Sequence, residues 1–180
     1  MAKALVLLAD GFEEIEAVTI IDVLRRADVE VTVVGVGDGP ARGSHGIPIV
    51  PERHMDQMRI EGYDALLLPG GMPGSAHLKD DKRVLALLKR FNNDGKLVGA
   101  ICAAPIALEA AGVIEGRRAT SFPGLELPSA RYVEERVVVD GNLVTSRGAG
   151  TAMEFALVLV ERLVGAEQAQ KLADGMLARR

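Results

Sequence analysis

Cys102 has the residue type and the position that most favour nucleophilic chemistry in this chain. It directly follows the aliphatic run Leu97–Ile101, which predicts a buried strand, and it precedes the segment AAP (103–105), which predicts the start of a helix. Ligands of open α/β sheets bind at the carboxyl edge of the strands, and a helix N-terminus lowers the pKa of a thiol. Position alone leaves two interpretations open, a reactive thiolate and a buried structural cysteine.

Two glutamates are the candidate activating groups for this thiol. The three histidines, His45, His54 and His77, all precede Cys102 and none adjoins it, so a Cys–His pair is not favoured. Glu13 and Glu16 both fall on the apolar rows of a predicted helix, where burial would raise the pKa of a carboxyl and let it donate a proton. An acidic first turn that complements the helix dipole is the alternative.

A glycine-rich loop, PGGMPG (69–74), is the third candidate feature. It follows a predicted buried strand at 64–68, so we expect it at the same sheet edge as Cys102. Glycines there let backbone N–H groups approach a ligand and act as an oxyanion-type donor pair. The loop lacks the spacing of a P-loop or a dinucleotide fingerprint, and a plain turn is the alternative. No third ligand accompanies the pair His54 and Asp56, so we predict no metal site, and no cofactor is predicted.

The elements that position these residues alternate between short aliphatic runs and longer amphipathic stretches, which is typical of a βαβ protein. The pattern predicts a mostly parallel sheet between helices, with an appended β-hairpin at DGN (140–142), in a single domain over residues 1–180. The predicted strands are 3–9, 30–36, 47–50 at an edge, 64–68, 97–101, 136–139 and 143–146. The predicted helices are 13–27, 81–91, 103–111, 149–164 and 167–177.

The composition limits the classes of partner and the cellular location that can be predicted. The 180 residues are 48% hydrophobic and 26% charged, as in a folded globular domain, and the formal net charge of -4 makes nucleic acid an unlikely partner. No apolar stretch approaches the roughly 20 residues of a membrane helix, so no membrane association is predicted. A single cysteine forms no internal disulfide, which favours a reducing, cytoplasmic location.

Four segments taken together resemble one protein family over essentially the whole chain. They are ADGFEEIE (9–16), LPGG (68–71), AICAAP (100–105) and TSRG (145–148), and the predicted final pair of helices follows them as a further shared feature. In this order they resemble the ThiJ/PfpI superfamily, and within it the DJ-one (parkinsonism-associated deglycase) branch. The resemblance implies a flavodoxin-like three-layer sandwich, a homodimer and a reactive Cys102.

The resemblance also implies roles for individual residues. It selects Glu16 over Glu13 as the carboxyl that hydrogen-bonds the Cys102 sulfur, and it makes Gly71 and Ala103 backbone N–H donors near that sulfur. The predicted substrate-binding residues are Glu13, Met72, Arg26 and Arg147. The resemblance implies that Arg26 and Arg147 lie in segments that approach the site or its dimer neighbour, and helix capping and salt bridging are the alternative for these two arginines.

One departure from the family pattern bears on mechanism. Many relatives place a histidine before a proline after the next strand, whereas this chain has Phe122 before Pro123. Phe122 transfers no proton, so a Cys–Glu–His scheme loses its third member. Ala103 stands where the protease-like branch of the family has a histidine, which disfavours a protease.

Two functions are compatible with this pattern. The first is a cysteine-dependent enzyme that detoxifies dicarbonyls or glycation adducts, a glutathione-independent glyoxalase or protein deglycase linked to oxidative stress. Its partners would be small reactive carbonyls or glycated groups. The alternative is a non-enzymatic redox sensor or stress chaperone that acts through oxidation of Cys102, because a low-pKa thiol without a resolving cysteine oxidises readily.

Overall fold

A seven-stranded sheet forms the centre of the computed structural model, which describes residues 1–178. The strand order is β10-β11-β7-β6-β1-β2-β5, and every neighbouring pair is parallel except β10 with β11. Its strands are β1 (Lys3–Leu8), β2 (Glu30–Gly35), β5 (Arg53–His54), β6 (Ala65–Leu68), β7 (Leu97–Ile101), β10 (Val137–Asp140) and β11 (Leu143–Ser146). The five longer parallel strands follow the 2-1-3-4-5 order of flavodoxin-like proteins.

Helices cover both faces of this sheet. On one face lie α1 (Glu14–Arg26), α5 (Ala152–Leu163) and α6 (Ala166–Gly175). On the other face lie α2 (Gly74–Asp80), α3 (Lys82–Asn93) and α4 (Pro105–Ala111). The prediction of a three-layer α/β sandwich with a mostly parallel sheet and an appended hairpin is therefore confirmed.

Strand β1 illustrates why these residues form a central strand. Its side chains point alternately to the two faces, so Val6 and Leu8 join the core under α1 and α5, whereas Leu5 and Leu7 join the core under α3 and α4. All four are fully buried. A strand buried on both faces needs a continuous aliphatic run, which β1, β6 and β7 have.

Helix α1 carries the acidic segment to the carboxyl edge of the sheet. Its buried face holds Ala17, Ile20 and Leu24, which pack against the sheet and α5. Glu13 is the N-cap, and its carboxylate accepts a hydrogen bond from the Glu16 backbone N–H at 2.7 Å. The first turn of α1 is thus fixed beside the loops that follow β1, β6 and β7.

The structure differs from the sequence predictions in several short elements, among them β5 at the edge of the central sheet, which was not predicted. Helix α2 was not predicted, because its seven residues carry too few apolar side chains for a helical period. The predicted strand 47–50 forms only as β4 (Pro48–Ile49), which pairs with β3 (Ala41–Arg42) outside the central sheet. Two further short strands, β8 (Arg118–Ala119) and β9 (Arg131–Tyr132), pair with each other.

No helix among the described residues is long and apolar enough to cross a bilayer.

Candidate active site

Cys102 lies at a sharp turn directly after β7. Its backbone φ is +63°, a left-handed conformation that is uncommon for a residue with a side chain. Two hydrogen bonds hold this turn, because the Cys102 N–H donates to the Ser146 carbonyl at 3.0 Å and the Cys102 carbonyl accepts from the Phe122 N–H at 2.8 Å. The turn presents a partly exposed thiol at the carboxyl edge of the sheet.

The Glu16 carboxyl is buried against this turn. Its side chain is fully shielded from solvent, and Oε2 accepts a hydrogen bond from the Gly70 N–H at 2.7 Å. Oε1 is buried without a hydrogen-bond partner among the described residues, and the Cys102 thiol is the neighbouring side chain that lowers the pKa of this carboxyl. A Cβ at Gly70 would lie 2.6 Å from the Cys102 Cβ and 2.8 Å from Oε2, so glycine is required for this approach.

Burial raises the pKa of Glu16 to about 7. The hydrogen bonds from the Gly70 N–H and the Cys102 thiol act in the opposite direction, and the negative charge of Glu13 raises this pKa further. Glu16 therefore keeps its proton at pH values where an exposed glutamate, with a pKa of about 4.3, has lost it.

The pKa of the Cys102 thiol is raised to about 12 by burial, and next by the charge and hydrogen bond of ionised Glu16. The backbone N–H groups of Gly71 and Ala103 act in the opposite direction but do not outweigh these effects. This corrects the sequence prediction of a thiol pKa lowered by the helix N-terminus. Helix α4 is short and begins only at Pro105, so its first turn does not compensate for burial.

The two groups are best described as one titrating pair. While Glu16 is ionised, its charge keeps the proton on the Cys102 sulfur; while Glu16 is protonated, its O–H can donate to a thiolate that the Gly71 and Ala103 N–H groups also stabilise. Below about pH 7 the pair therefore carries two protons, and between the Glu16 pKa of about 7 and the Cys102 pKa of about 12 it carries one shared proton. This arrangement supplies a nucleophile and an acid in direct contact.

Gly71 holds the second loop in place. Its φ is +91°, and a Cβ there would lie 2.4 Å from the Glu13 nitrogen and 2.5 Å from the Gly11 carbonyl oxygen. The adjacent Gly70 carbonyl accepts a hydrogen bond from the Glu13 N–H at 2.8 Å. The loops after β1 and β6 thus interlock, and this places the Gly71 N–H beside the sulfur.

Of the remaining predicted site residues, only some lie near the thiol. Met72 is half exposed and lines a cavity over Cys102. Glu13 acts as the N-cap of α1, and Arg147, which follows β11, has its guanidinium 4.0 Å from Glu134. Arg26 is in the last turn of α1, at the opposite end from Glu16, and pairs with Asp22 at 2.7 Å. The structure does not bring Arg26 to the thiol of its own chain, and its role in substrate binding stays a prediction.

The cavity over the thiol has a volume of about 400 Å³. Phe122 forms part of its wall, a role that the sequence did not indicate because it depends on the loop after β8 folding back onto Cys102. A larger cavity of about 600 Å³ lies at the amino edge of the sheet, near Asp64 and Lys96. Cys102 and Gly71 line the smaller cavity and not this one, so the smaller cavity is the candidate active site.

One group of potential metal ligands lies next to the site in the described chain. Glu13, Glu14 and His45 bring one ligand atom each within 4.8 Å of one another. The Glu14 carboxylate already accepts hydrogen bonds from the His45 backbone N–H at 2.7 Å and from its ring Nδ1 at 2.9 Å. These bonds hold the loop between β3 and β4 on the first turn of α1, so we assign this group a structural role.

The chain is similar to known proteins over nearly its whole length. The DJ-1/PfpI family model matches residues 2–162. The chain is 43% identical over 180 residues to protein dj-1beta of Drosophila melanogaster, covering 97% of this chain and 96% of that protein. The crystal structure of Drosophila melanogaster DJ-1beta superposes with a TM-score of 0.96 at 41% identity, covering 99% of each chain. The glutathione-independent glyoxalase DJR-1.2 of Caenorhabditis elegans is 35% identical over 174 residues, 94% of this chain and 93% of that protein.

The shared proton predicts the pH dependence of thiol reactivity. The rate constant for alkylation of Cys102 by iodoacetamide should rise with a midpoint where Glu16 titrates, at about pH 7, because the pair loses its first proton there. In Glu16→Gln this step should disappear, since an amide does not titrate. Mass spectrometry of the alkylated protein across the pH range measures both profiles. A single wild-type step near the ordinary thiol pKa of about 8.5, unchanged in Glu16→Gln, would contradict the shared proton.

Proposed function

The chain belongs to the DJ-1/PfpI family, and from this premise we propose that it is a Cys102-dependent enzyme that converts α-oxoaldehydes such as methylglyoxal into 2-hydroxy acids without glutathione. The observation that carries the proposal is the contact between the Cys102 thiol and the buried, proton-sharing carboxyl of Glu16. The name of the Caenorhabditis elegans relative, a glutathione-independent glyoxalase, supports the substrate class.

The first step of the proposed reaction is addition of the thiolate to the aldehyde carbon. The Sγ–C bond forms while the carbonyl π bond breaks, and the developing oxyanion faces the Gly71 and Ala103 backbone N–H groups. Protonated Glu16 then transfers its proton to this oxygen. The product is a hemithioacetal on Cys102, beside an ionised Glu16.

The second step is an internal oxidation and reduction of the bound substrate. Glu16 removes the hydrogen on the former aldehyde carbon as a proton, and the electron pair moves through an enediol. Return of this proton to the neighbouring carbon, with transfer of the hydroxyl proton from the former aldehyde oxygen to the former ketone oxygen, converts the ketone to an alcohol and leaves a thioester on Cys102. No external oxidant or reductant is required, because one carbon is oxidised as its neighbour is reduced.

Hydrolysis completes the cycle. Water adds to the thioester carbonyl, the C–S bond breaks, and the 2-hydroxy acid leaves as its anion. One proton returns to Glu16 and one enters solution, which restores the thiolate and the protonated carboxyl. The same hemithioacetal chemistry would act on the early adduct of an aldehyde with an amine or thiol, which is the deglycase form of the proposal.

Acid–base catalysis in this scheme depends on Glu16. No histidine of the described residues lines the cavity at Cys102, and Phe122 occupies the position where many relatives have one. A single carboxyl therefore accepts and returns every proton that the protein transfers. We accordingly propose a slower enzyme than a relative with the additional histidine, since one general acid–base group contributes typically 10²–10⁴-fold.

The predicted activity is formation of lactate from methylglyoxal in the absence of glutathione. Wild-type protein should form lactate, and Cys102→Ser should lose at least about a hundredfold in rate, because a hydroxyl lacks the nucleophilicity of the thiolate. Lactate is measured by chromatography against a protein-free control and against Arg90→Gln, an exposed change on α3 that should leave the rate unaltered. Equal lactate release by wild type and Cys102→Ser would reject the enzyme.

Oxidation of Cys102 is the second candidate function, as a redox sensor or stress chaperone. It is favoured by the partial exposure of the thiol in the cavity and by the lack of a second cysteine in the sequence to form a resolving disulfide. The N–H groups of Gly71 and Ala103 and a protonated Glu16 would stabilise the negative charge of a sulfinate.

Mild peroxide should add two oxygen atoms to the wild-type mass, and Cys102→Ala should block this gain. Intact-mass spectrometry before and after treatment measures the change. Unmodified wild-type protein, or the same gain in Cys102→Ala through methionine oxidation, would exclude sensing at Cys102.

We also propose that the protein forms a homodimer through an apolar surface next to the site. Val18 of α1 is 50% exposed and Val50, after β4, is 75% exposed. Both line a shallow cavity of about 420 Å³ together with Ile49, and the charged residues Asp22, Arg25 and Glu52 also line it. Ile15 and Ile47 add to the exposed apolar area. A second copy of the chain would remove this area from water, which favours association.

Val18→Asp should convert the dimer to a monomer, because it places a charge in the proposed interface. Sedimentation velocity of the wild type and the variant measures the change. Leu177→Asp, at an exposed position outside this surface, is the matched control and should remain dimeric. A monomeric wild type would contradict the proposal.

A further inference from the structure

The cavity over Cys102 has an apolar wall. Beside Cys102 its lining side chains are those of Met72, Ala103, Phe122, Pro123 and Leu125, and no charged side chain of the described chain takes part. Its volume of about 400 Å³ is in the range of small-molecule sites. A three-carbon aldehyde fills only a small part of this space. The wall can therefore make apolar contacts with a larger apolar substituent of an aldehyde. Its described residues include no charged side chain to pair with a charged substituent.

Phe122 is held rigidly beside the nucleophile. Its backbone N–H donates to the Cys102 carbonyl at 2.8 Å, and its carbonyl accepts from the Leu125 N–H at 3.1 Å. The Ser121 hydroxyl donates to the Leu125 carbonyl at 3.1 Å, which closes the same turn. The ring is half exposed and lies near Gly148, where an added Cβ would be 3.6 Å from the ring Cδ2. These hydrogen bonds hold the Phe122 backbone, which places the ring at the edge of the cavity.

Met72 forms the other wall. It follows Gly71, whose N–H lies beside the Cys102 sulfur, and its thioether side chain is half exposed. Methionine adapts its shape to an apolar partner and makes favourable contacts with aromatic rings. An aldehyde bound with its carbon at Sγ and its oxygen at the Gly71 and Ala103 N–H groups would direct its substituent between Met72 and Phe122.

We propose that Phe122 and Met72 determine specificity and select α-oxoaldehydes that carry an aryl or branched alkyl substituent over unsubstituted or charged ones. The proposal rests on the proposed oxoaldehyde activity and names the substrate class of that same site. Phe122 acts here as a binding surface for the substituent. A side chain that transfers protons would, at the same position, take part in the reaction itself. The preferred substrate class is represented by phenylglyoxal and the disfavoured one by glyoxal.

The test compares kcat/KM for phenylglyoxal, measured as mandelate, with kcat/KM for glyoxal, measured as glycolate. Phe122→Ala should lower the ratio of the phenylglyoxal value to the glyoxal value about tenfold or more, since the substituted substrate loses more apolar contact than glyoxal does. The ratio of the two kcat/KM values in Phe122→Leu should lie between those of the wild type and Phe122→Ala. Met72→Ala, on the opposite wall, should change the ratio in the same direction. An equal change for both substrates, or an unchanged ratio, would overturn the proposal.

A second readout separates this proposal from the proposed activity. Alkylation of Cys102 by phenacyl bromide and by iodoacetamide requires the same thiol but no turnover. The ratio of the two rate constants should fall in Phe122→Ala relative to wild type. A protein that converts no aldehyde but keeps this ratio change would reject the enzyme and retain the apolar subsite. A protein that forms lactate with an unchanged ratio would retain the enzyme and reject the subsite.

Discussion

The burial of one carboxyl group, that of Glu16, is the constraint on which the rest of the site depends. A charged glutamate without solvent is costly, so the group either finds donors or keeps its proton. Here it does both, because the Gly70 N–H donates to Oε2 and burial raises the pKa to about 7. The Cys102 thiol is the other group that can exchange a proton with it. The reactivity of the sulfur is therefore a property of the pair.

The fold supplies this contact through three loops at one edge of the sheet. The loop after β1 leads into α1 and carries Glu16 inward, the loop after β6 brings Gly70 and Gly71, and the turn after β7 presents Cys102. The two glycines have no room for a Cβ, and Cys102 itself adopts a positive φ. Close approach of these backbones, held by their mutual hydrogen bonds, is what places an acid and a nucleophile together.

The sequence predicts the layers of this fold well and the local chemistry less completely. Continuous aliphatic runs identify β1, β6 and β7 because strands buried on both faces require them. Helical periodicity leaves Glu13 and Glu16 equivalent, and only the folded geometry separates the N-cap from the buried acid. The sign of the thiol pKa shift was predicted wrongly, because it depends on the degree of burial. Phe122 lines the cavity because the loop after β8, which is distant from Cys102 in sequence, folds back onto Cys102. No local sequence pattern predicts this contact.

The protonation state of Glu16 is the most direct test of this account. Infrared difference spectra between wild type and Glu16→Gln should contain the carbonyl band of a protonated carboxyl at about pH 6, where an ordinary glutamate is ionised. The band should be lost as the pH passes the Glu16 pKa, at about 7. It should shift in Cys102→Ser, because the hydrogen-bond partner changes. Absence of a protonated carboxyl band at about pH 6 would contradict the shared proton and the mechanism built on it.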